Sequence, residues 1–337
     1  MTHNTRPDVL VTVRFFDEDA VARLESRGHR VVRADIAYDA IDSTITPAVE
    51  EALGSVQAWI LGAAPVSHDL LARHPNLRLV ARRGVGFDSV DVKAVHSLGR
   101  LLTNTPGGNE PAVADHALAL MLAVGKRIAE AHARMQAGDW RVLVGTELYR
   151  KTVGLIGLGR IGRHVAQRLS GFEARVLAFD PYLDEESARR AGVTRCSLEE
   201  VLTQSDFVSL HAPLTPQTRH IISAGALKLM KPQAILINTS RGELVDEEAL
   251  LAALRSNRLA GAGLDVFQCE HAPELQELAA QLLALPTVVA TPHSAASSRE
   301  SLRRANELAA DCVAAVLEGL PVPQQCIVAD GRVPLAF

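Results

Sequence analysis

Cysteine is scarce. The 337 residues include four, Cys196, Cys269, Cys312 and Cys326, far apart, with no C-x-x-C pair and no histidine at metal-ligand spacing. That argues against a disulfide framework and against a structural metal, and predicts free thiols in a reducing, cytoplasmic setting. Aromatic residues make up only 4%, too few to indicate a pocket lined for bulky aryl substrates, and Trp59 and Trp140 are read as packing residues. Positive charge is not in excess: 35 Lys and Arg stand against 39 Asp and Glu. A generic electrostatic grip on nucleic acid or anionic lipid is therefore not expected. Long apolar runs are missing too, since the longest, Ala117 to Gly125, falls well short of the about 20 residues that span a bilayer. The N-terminal MTHNTRPDVLVTVR has no signal-peptide core.

What is present is 47% apolar and 22% charged sequence, enough for about two domains at roughly 150 residues each. Short apolar runs alternate with amphipathic ones, the rhythm of βαβ units and a parallel sheet. DVLVTV (Asp8–Val13), HRVVRA, AWILG (Ala58–Gly62) and LRLVARRG (Leu77–Gly84) read as strands, and Asp17–Gly28 as a helix closed by glycine. After the turn TNTPGGNEP a single long helix is predicted over Ala112–Gly138. Its first half is apolar nearly all round, so burial between domains or against a second subunit is expected. A second strand–helix alternation runs from Lys151 to Thr291. SSRESLRRANELAADCVAAVLEGL reads as a final amphipathic helix.

The segment TVGLIGLGRIGRHVAQRL carries G-x-G-x-x-G as Gly157, Gly159 and Gly162. The pattern alone is weak, but an apolar strand precedes it, and Ile161, Val165 and Leu169 follow at helical spacing. The first glycine permits the tight turn, the second lets backbone approach a pyrophosphate, and the third lets helix pack on strand. The next strand, ARVLAFD, ends in Asp180, close to the roughly 20-residue offset at which an acid accepts the ribose hydroxyls of NAD. No arginine follows it to favour a 2′-phosphate, so NAD is predicted over NADP.

Three polar groups stand at predicted strand ends further on: Arg241 in INTSRGELVD, Glu270 in GLDVFQCE and His293 in TPHSAASS. Each suits one part of hydride transfer between nicotinamide and a 2-oxo acid. A guanidinium grips a carboxylate bidentately, a histidine donates the proton that the carbonyl oxygen gains, and a carboxylate beside that histidine fixes its tautomer and favours its charged form. Taken singly, each also has an ordinary reading as a surface ion pair, a solvated loop residue or a structural histidine, and spacing does not decide between them.

From about Leu77 to Asn306 the chain resembles the D-isomer-specific 2-hydroxyacid dehydrogenases, which include phosphoglycerate dehydrogenase and hydroxypyruvate/glyoxylate reductases. The resemblance rests on RRGVGFDSVD, NTPGGNEPAVAD, VGLIGLGRIGR, VSLHAPLTPQT, INTSRGELVDEEAL, AGAGLDVF and TPHSAAS, in order. It implies an α/β fold of two Rossmann-like domains, with an NAD-binding domain (residues 105–296) inserted into a flavodoxin-like substrate domain (1–104 and 297–337), and hinges near Thr105 and Ala295. It implies that Arg241, Glu270 and His293 are catalytic. Arg160 and Ile161 would bind pyrophosphate and Asp180 the ribose, with Ala212 and Pro213 on the adenine side. Thr239 and Asp265 would flank the nicotinamide, and Val85 and Gly86 would present N–H groups to the substrate carboxylate. A homodimer through the helix after Ala112 is implied as well, with a small 2-oxo or 2-hydroxy acid as substrate and no metal.

The chain departs from the family pattern at Asp115, usually Glu, at Ser89, often Asn, and after Glu270, where His-Ala-Pro stands in place of an immediate proline. The last departure would shift Glu270. No regulatory domain is expected after the final helix. Arg82 and Arg83, beside the substrate loop, fit either a phosphate of 3-phosphoglycerate or a solvated rim, so a phosphoglycerate dehydrogenase remains an alternative. From another class, a dinucleotide-sensing protein like the corepressors that resemble this family is the rival. A formate- or phosphonate-type dehydrogenase is disfavoured, since no long N-terminal extension is seen.

Overall fold

The computed structural model describes residues 8–34 and 45–333. The chain divides into two compact units, one formed by residues 1–109 and 298–337, the other by Glu110–Ser297. Thirteen strands are present among the described residues: β1 (Asp8–Val11), β2 (Arg30–Arg33), β3 (Ala58–Leu61), β4 (Leu79–Arg82) and β5 (Leu101–Thr103), then β6 (Thr152–Ile156), β7 (Arg175–Phe179), β8 (Thr194–Arg195), β9 (Phe207–Leu210), β10 (Ile235–Asn238), β11 (Gly261–Leu264) and β12 (Val288–Ala290), and last β13 (Ile327–Asp330).

In the first unit the sheet order is β13-β5-β4-β3-β1-β2. Strands β1 to β5 pair in parallel and β13 adds antiparallel to β5, so the parallel part has the flavodoxin-like 2-1-3-4-5 order. Apolar residues cover both faces, as a parallel sheet buried on both sides requires. Val9, Ile60 and Leu79 pack with the helix Arg299–Glu318 on one side, and Leu10, Trp59 and Val80 fill the other. Trp59 is fully buried and its indole N–H donates to the Thr12 hydroxyl at 2.8 Å. Helices begin where Ser, Thr or Asp accepts an amide from the first turn, as Asp17, Thr46, Ser67, Asp91 and Ser298 do.

The second unit holds a seven-stranded parallel sheet ordered β12-β11-β10-β9-β6-β7-β8. The order reverses between β6 and β9, and the crevice at that switch point is where such sheets take ligands. The predicted helix over Ala112–Gly138 is two helices, Glu110–Gly125 and Ile128–Gln136, separated by Arg127 at φ 55°. At the break the Gly125 carbonyl accepts the Thr146 amide at 2.7 Å. The apolar first helix is buried within its own unit, against helix Arg160–Leu169 and strands β10 and β11. Trp140 is also corrected, because it is 77% exposed and packs no core.

Candidate active site

At the carboxyl end of β6, Gly157 adopts φ 96°, and a Cβ there would stand 2.6 Å from the His211 carbonyl carbon. The turn after β9, which carries Ala212 and Pro213, is thereby packed on the glycine loop. Gly162 brings helix Arg160–Leu169 onto the Gly157 carbonyl, where a Cβ would collide. Gly159, the residue before that helix, faces open space. Arg160 and Ile161 form the first helical turn, whose unpaired amides and positive dipole end face that space. Asp180 follows β7 and accepts from Leu158 N and Tyr182 N, both at 2.9 Å, so the acid is held beside the glycine loop. Beneath it, burial pushes His211 down to about 4, which keeps the ring neutral, with Nε2 2.9 Å from the Ser209 hydroxyl. Thr239, after β10, is 8% exposed, and its hydroxyl has no hydrogen-bond partner among the described residues.

Further along the same sheet edge, three loops carry the predicted polar groups. Arg241 follows β10 and is half-buried, its Nη1 donating to the Ser240 carbonyl at 2.6 Å. Asn238 holds that turn, donating to the Arg241 carbonyl at 2.8 Å and accepting from Ser240 N at 3.0 Å. Glu270 ends a short 3-10 turn, Gln268–Glu270, and its Oε1 accepts from Phe267 N at 2.8 Å. Its Oε2 lies 2.6 Å from His293 Nδ1. The residues His-Ala-Pro after Glu270 therefore leave this contact in place. Burial pushes the Glu270 carboxyl up, but the hydrogen bond and charge of His293 outweigh it, aided by the Phe267 amide and His271. The net position is below the usual carboxylate range.

His293 itself sits at φ 49°, a left-handed conformation that non-glycine residues keep only where surroundings enforce it. Asp265, after β11, enforces it. Its backbone carbonyl accepts from His293 N at 2.8 Å, and its buried carboxylate accepts from Thr291 Oγ1 at 2.5 Å, Ser294 N at 2.8 Å and Ala295 N at 3.0 Å. His116 adds a contact from helix Glu110–Gly125, its Nε2 being 2.8 Å from Thr291 Oγ1. Sequence reasoning missed His116; a lone histidine in an otherwise apolar helical run was the available signal.

Two more carboxylates went unnoticed. Glu243 and Glu247 are 8% and 2% exposed. His271 Nδ1 approaches Glu243 Oε1 at 3.0 Å, and Gln268 N donates to Glu247 Oε1 at 2.9 Å. The structure thus brings Arg241, Glu270 and His293 onto loops of one unit, together with Gly157, Gly159, Gly162, Asp180, Ala212, Pro213, Thr239 and Asp265. Val85 and Gly86 belong to the other unit, in a loop after β4 where Asn104 donates to the Val85 carbonyl at 2.8 Å. Among the described residues no group of three His, Cys, Asp or Glu side chains suits a metal ion, and no helix is long and apolar enough to cross a membrane.

Residues 118–295 match the model of the D-isomer specific 2-hydroxyacid dehydrogenase, NAD binding domain. The chain is 43% identical over 276 residues to D-3-phosphoglycerate dehydrogenase of Mycobacterium leprae, which covers 81% of this chain and 51% of that one. It is 41% identical over 261 residues to glyoxylate reductase of Korarchaeum cryptofilum, covering 76% and 77%. A solved D-lactate dehydrogenase of Aquifex aeolicus, complexed with NAD and lactic acid, superposes with a TM-score of 0.81 at 29% identity, over 97% of this chain and 99% of that one. The chain belongs to the D-isomer-specific 2-hydroxyacid dehydrogenase family, and its second unit contains that family's NAD-binding domain. It spans about half the length of the phosphoglycerate dehydrogenases it matches.

Proposed function

We propose that this chain is an NAD-dependent dehydrogenase of a small D-2-hydroxy acid, or in reverse a reductase of the 2-oxo acid. The observation that carries the reading is the 2.6 Å contact between His293 and Glu270, on a turn packed against the one that bears Arg241. The glycine loop fits the dinucleotide: open space beside Gly159, helix amides at Arg160 and Ile161, and Asp180 held at the loop's edge. When bound, NAD supplies or accepts the hydride. In the reductive direction the Arg241 guanidinium grips the substrate carboxylate and orients the carbonyl. His293, its Nδ1–H directed at Glu270, presents Nε2 and gives the carbonyl oxygen its proton; in oxidation it takes the proton back. Glu270 fixes the tautomer and stabilises the imidazolium. Thr239 is carried as a neighbour of the nicotinamide, and Asp265 as the support of the His293 turn.

Similarity to phosphoglycerate dehydrogenases favours a second substrate, the phosphorylated 3-carbon acid, with Arg82 and Arg83 as its phosphate partners. Arg82 Nη1 donates to the Arg83 carbonyl at 2.7 Å, which turns that guanidinium into its own loop and favours the unphosphorylated acids. NADH loss with glyoxylate, pyruvate, hydroxypyruvate, 3-phosphohydroxypyruvate and a branched-chain 2-oxo acid decides between them. Turnover of the small unphosphorylated acids is expected; strict selectivity for 3-phosphohydroxypyruvate reassigns the substrate. NADH binding without turnover of any of them overturns the enzymatic reading in favour of a sensing role.

A homodimer is part of the proposal. It is supported by apolar side chains exposed on helix Ile128–Gln136 and just beyond, where Ile128 and Met135 lie open and Val142 is 90% exposed. Sedimentation at micromolar concentration tests it, and a monomer there contradicts it.

A further inference from the structure

The turn that carries Glu270 has few means of its own to stay in place. It is three residues long, and the proline that would stiffen it directly after Glu270 is absent. Besides the contact of Glu270 with His293 and packing on the helix Gln276–Leu283, four attachments run to the segment that follows Arg241. Gly242 packs backbone to backbone on Phe267 and Gln268, closely enough that a Cβ would collide with both. The Gln268 side chain donates to the Val245 carbonyl at 2.9 Å. The Gln268 amide donates to Glu247 Oε1 at 2.9 Å, and His271 meets Glu243.

Of these, Glu247 is the unexpected one. It opens helix Glu247–Arg255, a place where a glutamate ordinarily points to water, yet it is 2% exposed. Its one hydrogen bond goes to the amide two residues before Glu270, while its second oxygen is buried without a partner among the described residues. A carboxyl group is costly to bury for so little bonding, and a surface-pointing side chain would satisfy a helix start equally well. We propose that Glu247 is a positioning residue of the catalytic site, seating the Gln268–Glu270 turn so that Glu270 meets His293. The proposal rests on the acid–base reading of that pair and names a residue for it that neither touches substrate nor cofactor.

The protonation state agrees with this use. Burial, followed by the charges of Glu243 and Glu270, pushes Glu247 up to about 7 against the pull of the Gln268 amide. The groups facing it are Glu243 on its own segment and Cys269 and Glu270 on the turn. Below that value the carboxyl is neutral and holds the amide without adding a further negative charge next to Glu270.

The test compares Glu247→Ala and Glu247→Gln with the wild type in kcat and KM for 2-oxo acid reduction, in NADH affinity, and in amide hydrogen exchange over residues 267–271. Glutamine keeps an oxygen for the Gln268 amide and is neutral, so it should restore what alanine loses. In Glu247→Ala, kcat is expected to fall about tenfold to a hundredfold, as for loss of placement without loss of a reacting group, with NADH affinity unchanged and exchange at Gln268 faster. Glu247→Gln should recover both kcat and protection. The proposal is overturned if alanine leaves kcat at the wild-type value although Gln268 exchanges faster, or if glutamine is as impaired as alanine. A wild type that turns over no 2-oxo acid refutes the proposed function instead; the exchange readout, which needs no turnover, then still shows whether Glu247 holds the turn.

Discussion

Removing the charge from Glu270 is the sharpest test of the acid–base pair. Glu270→Gln keeps the size of the side chain and leaves an amide oxygen to accept from Phe267 N, but it replaces the carboxylate that faces His293 at 2.6 Å. A hydrogen bond to a charged group contributes about 1.5–3 kcal/mol. The His293 side chain is 50% exposed and that of Glu270 30%, so water screens the pair and the lower end applies, about 1.5 kcal/mol. That corresponds to about a tenfold fall in kcat for 2-oxo acid reduction at neutral pH, where the reaction needs the ring protonated. KM for NADH should not change. Stopped-flow and steady-state NADH absorbance read both. A kcat equal to the wild type would refute the assignment of Glu270.

Gly157→Ala should destabilise the second unit, because its φ of 96° and the 2.6 Å approach to His211 together cost about 2–4 kcal/mol. Calorimetry should show the transition about 5–10 °C lower, and an unchanged transition contradicts the close approach. Glu247→Gln should gain stability over the wild type as pH rises from 4.5 to about 7. Across that window the unfolded wild type ionises while the buried carboxyl stays protonated, so the wild type loses stability and the amide does not. Parallel melting curves at pH 5 and 7.5 contradict this sign. With equal concentrations of the two cofactors, NAD should be used in preference to NADP, and Asp180→Ala should narrow that preference while weakening NADH binding about tenfold. Equal use of NADP by the wild type contradicts the role given to Asp180.

Much of this arrangement was legible from local pattern. Gly157, Gly159, Gly162 and Asp180 belong to one strand–turn–helix–strand unit whose geometry is set within a few tens of residues. Arg241, Glu270 and His293 were candidates because each ends an apolar run, and the family resemblance rather than spacing gave each its expected role. Features that depend on distant chain were not legible. The helical periodicity runs on through Lys126, and at the break there Thr146 reaches Gly125. Glu243 and Glu247 were passed over, because nothing local announces that they will meet His271 and the turn at Gln268. The hydrogen bonds by which the buried Asp265 carboxylate holds the loop of His293 were likewise not legible, because they join segments that the local pattern treats separately. Trp140 was taken for core on composition alone and lies exposed.

His293→Gln tests the central claim most directly, measured as single-turnover NADH oxidation by the best 2-oxo acid substrate beside direct titration of NADH binding. A positioned acid–base group contributes about 10²–10⁴-fold. The account predicts a rate about a thousandfold below the wild type, with NADH affinity retained. A variant that keeps the wild-type rate would show that the proton comes from elsewhere, and the chemistry assigned to this site would have to be abandoned.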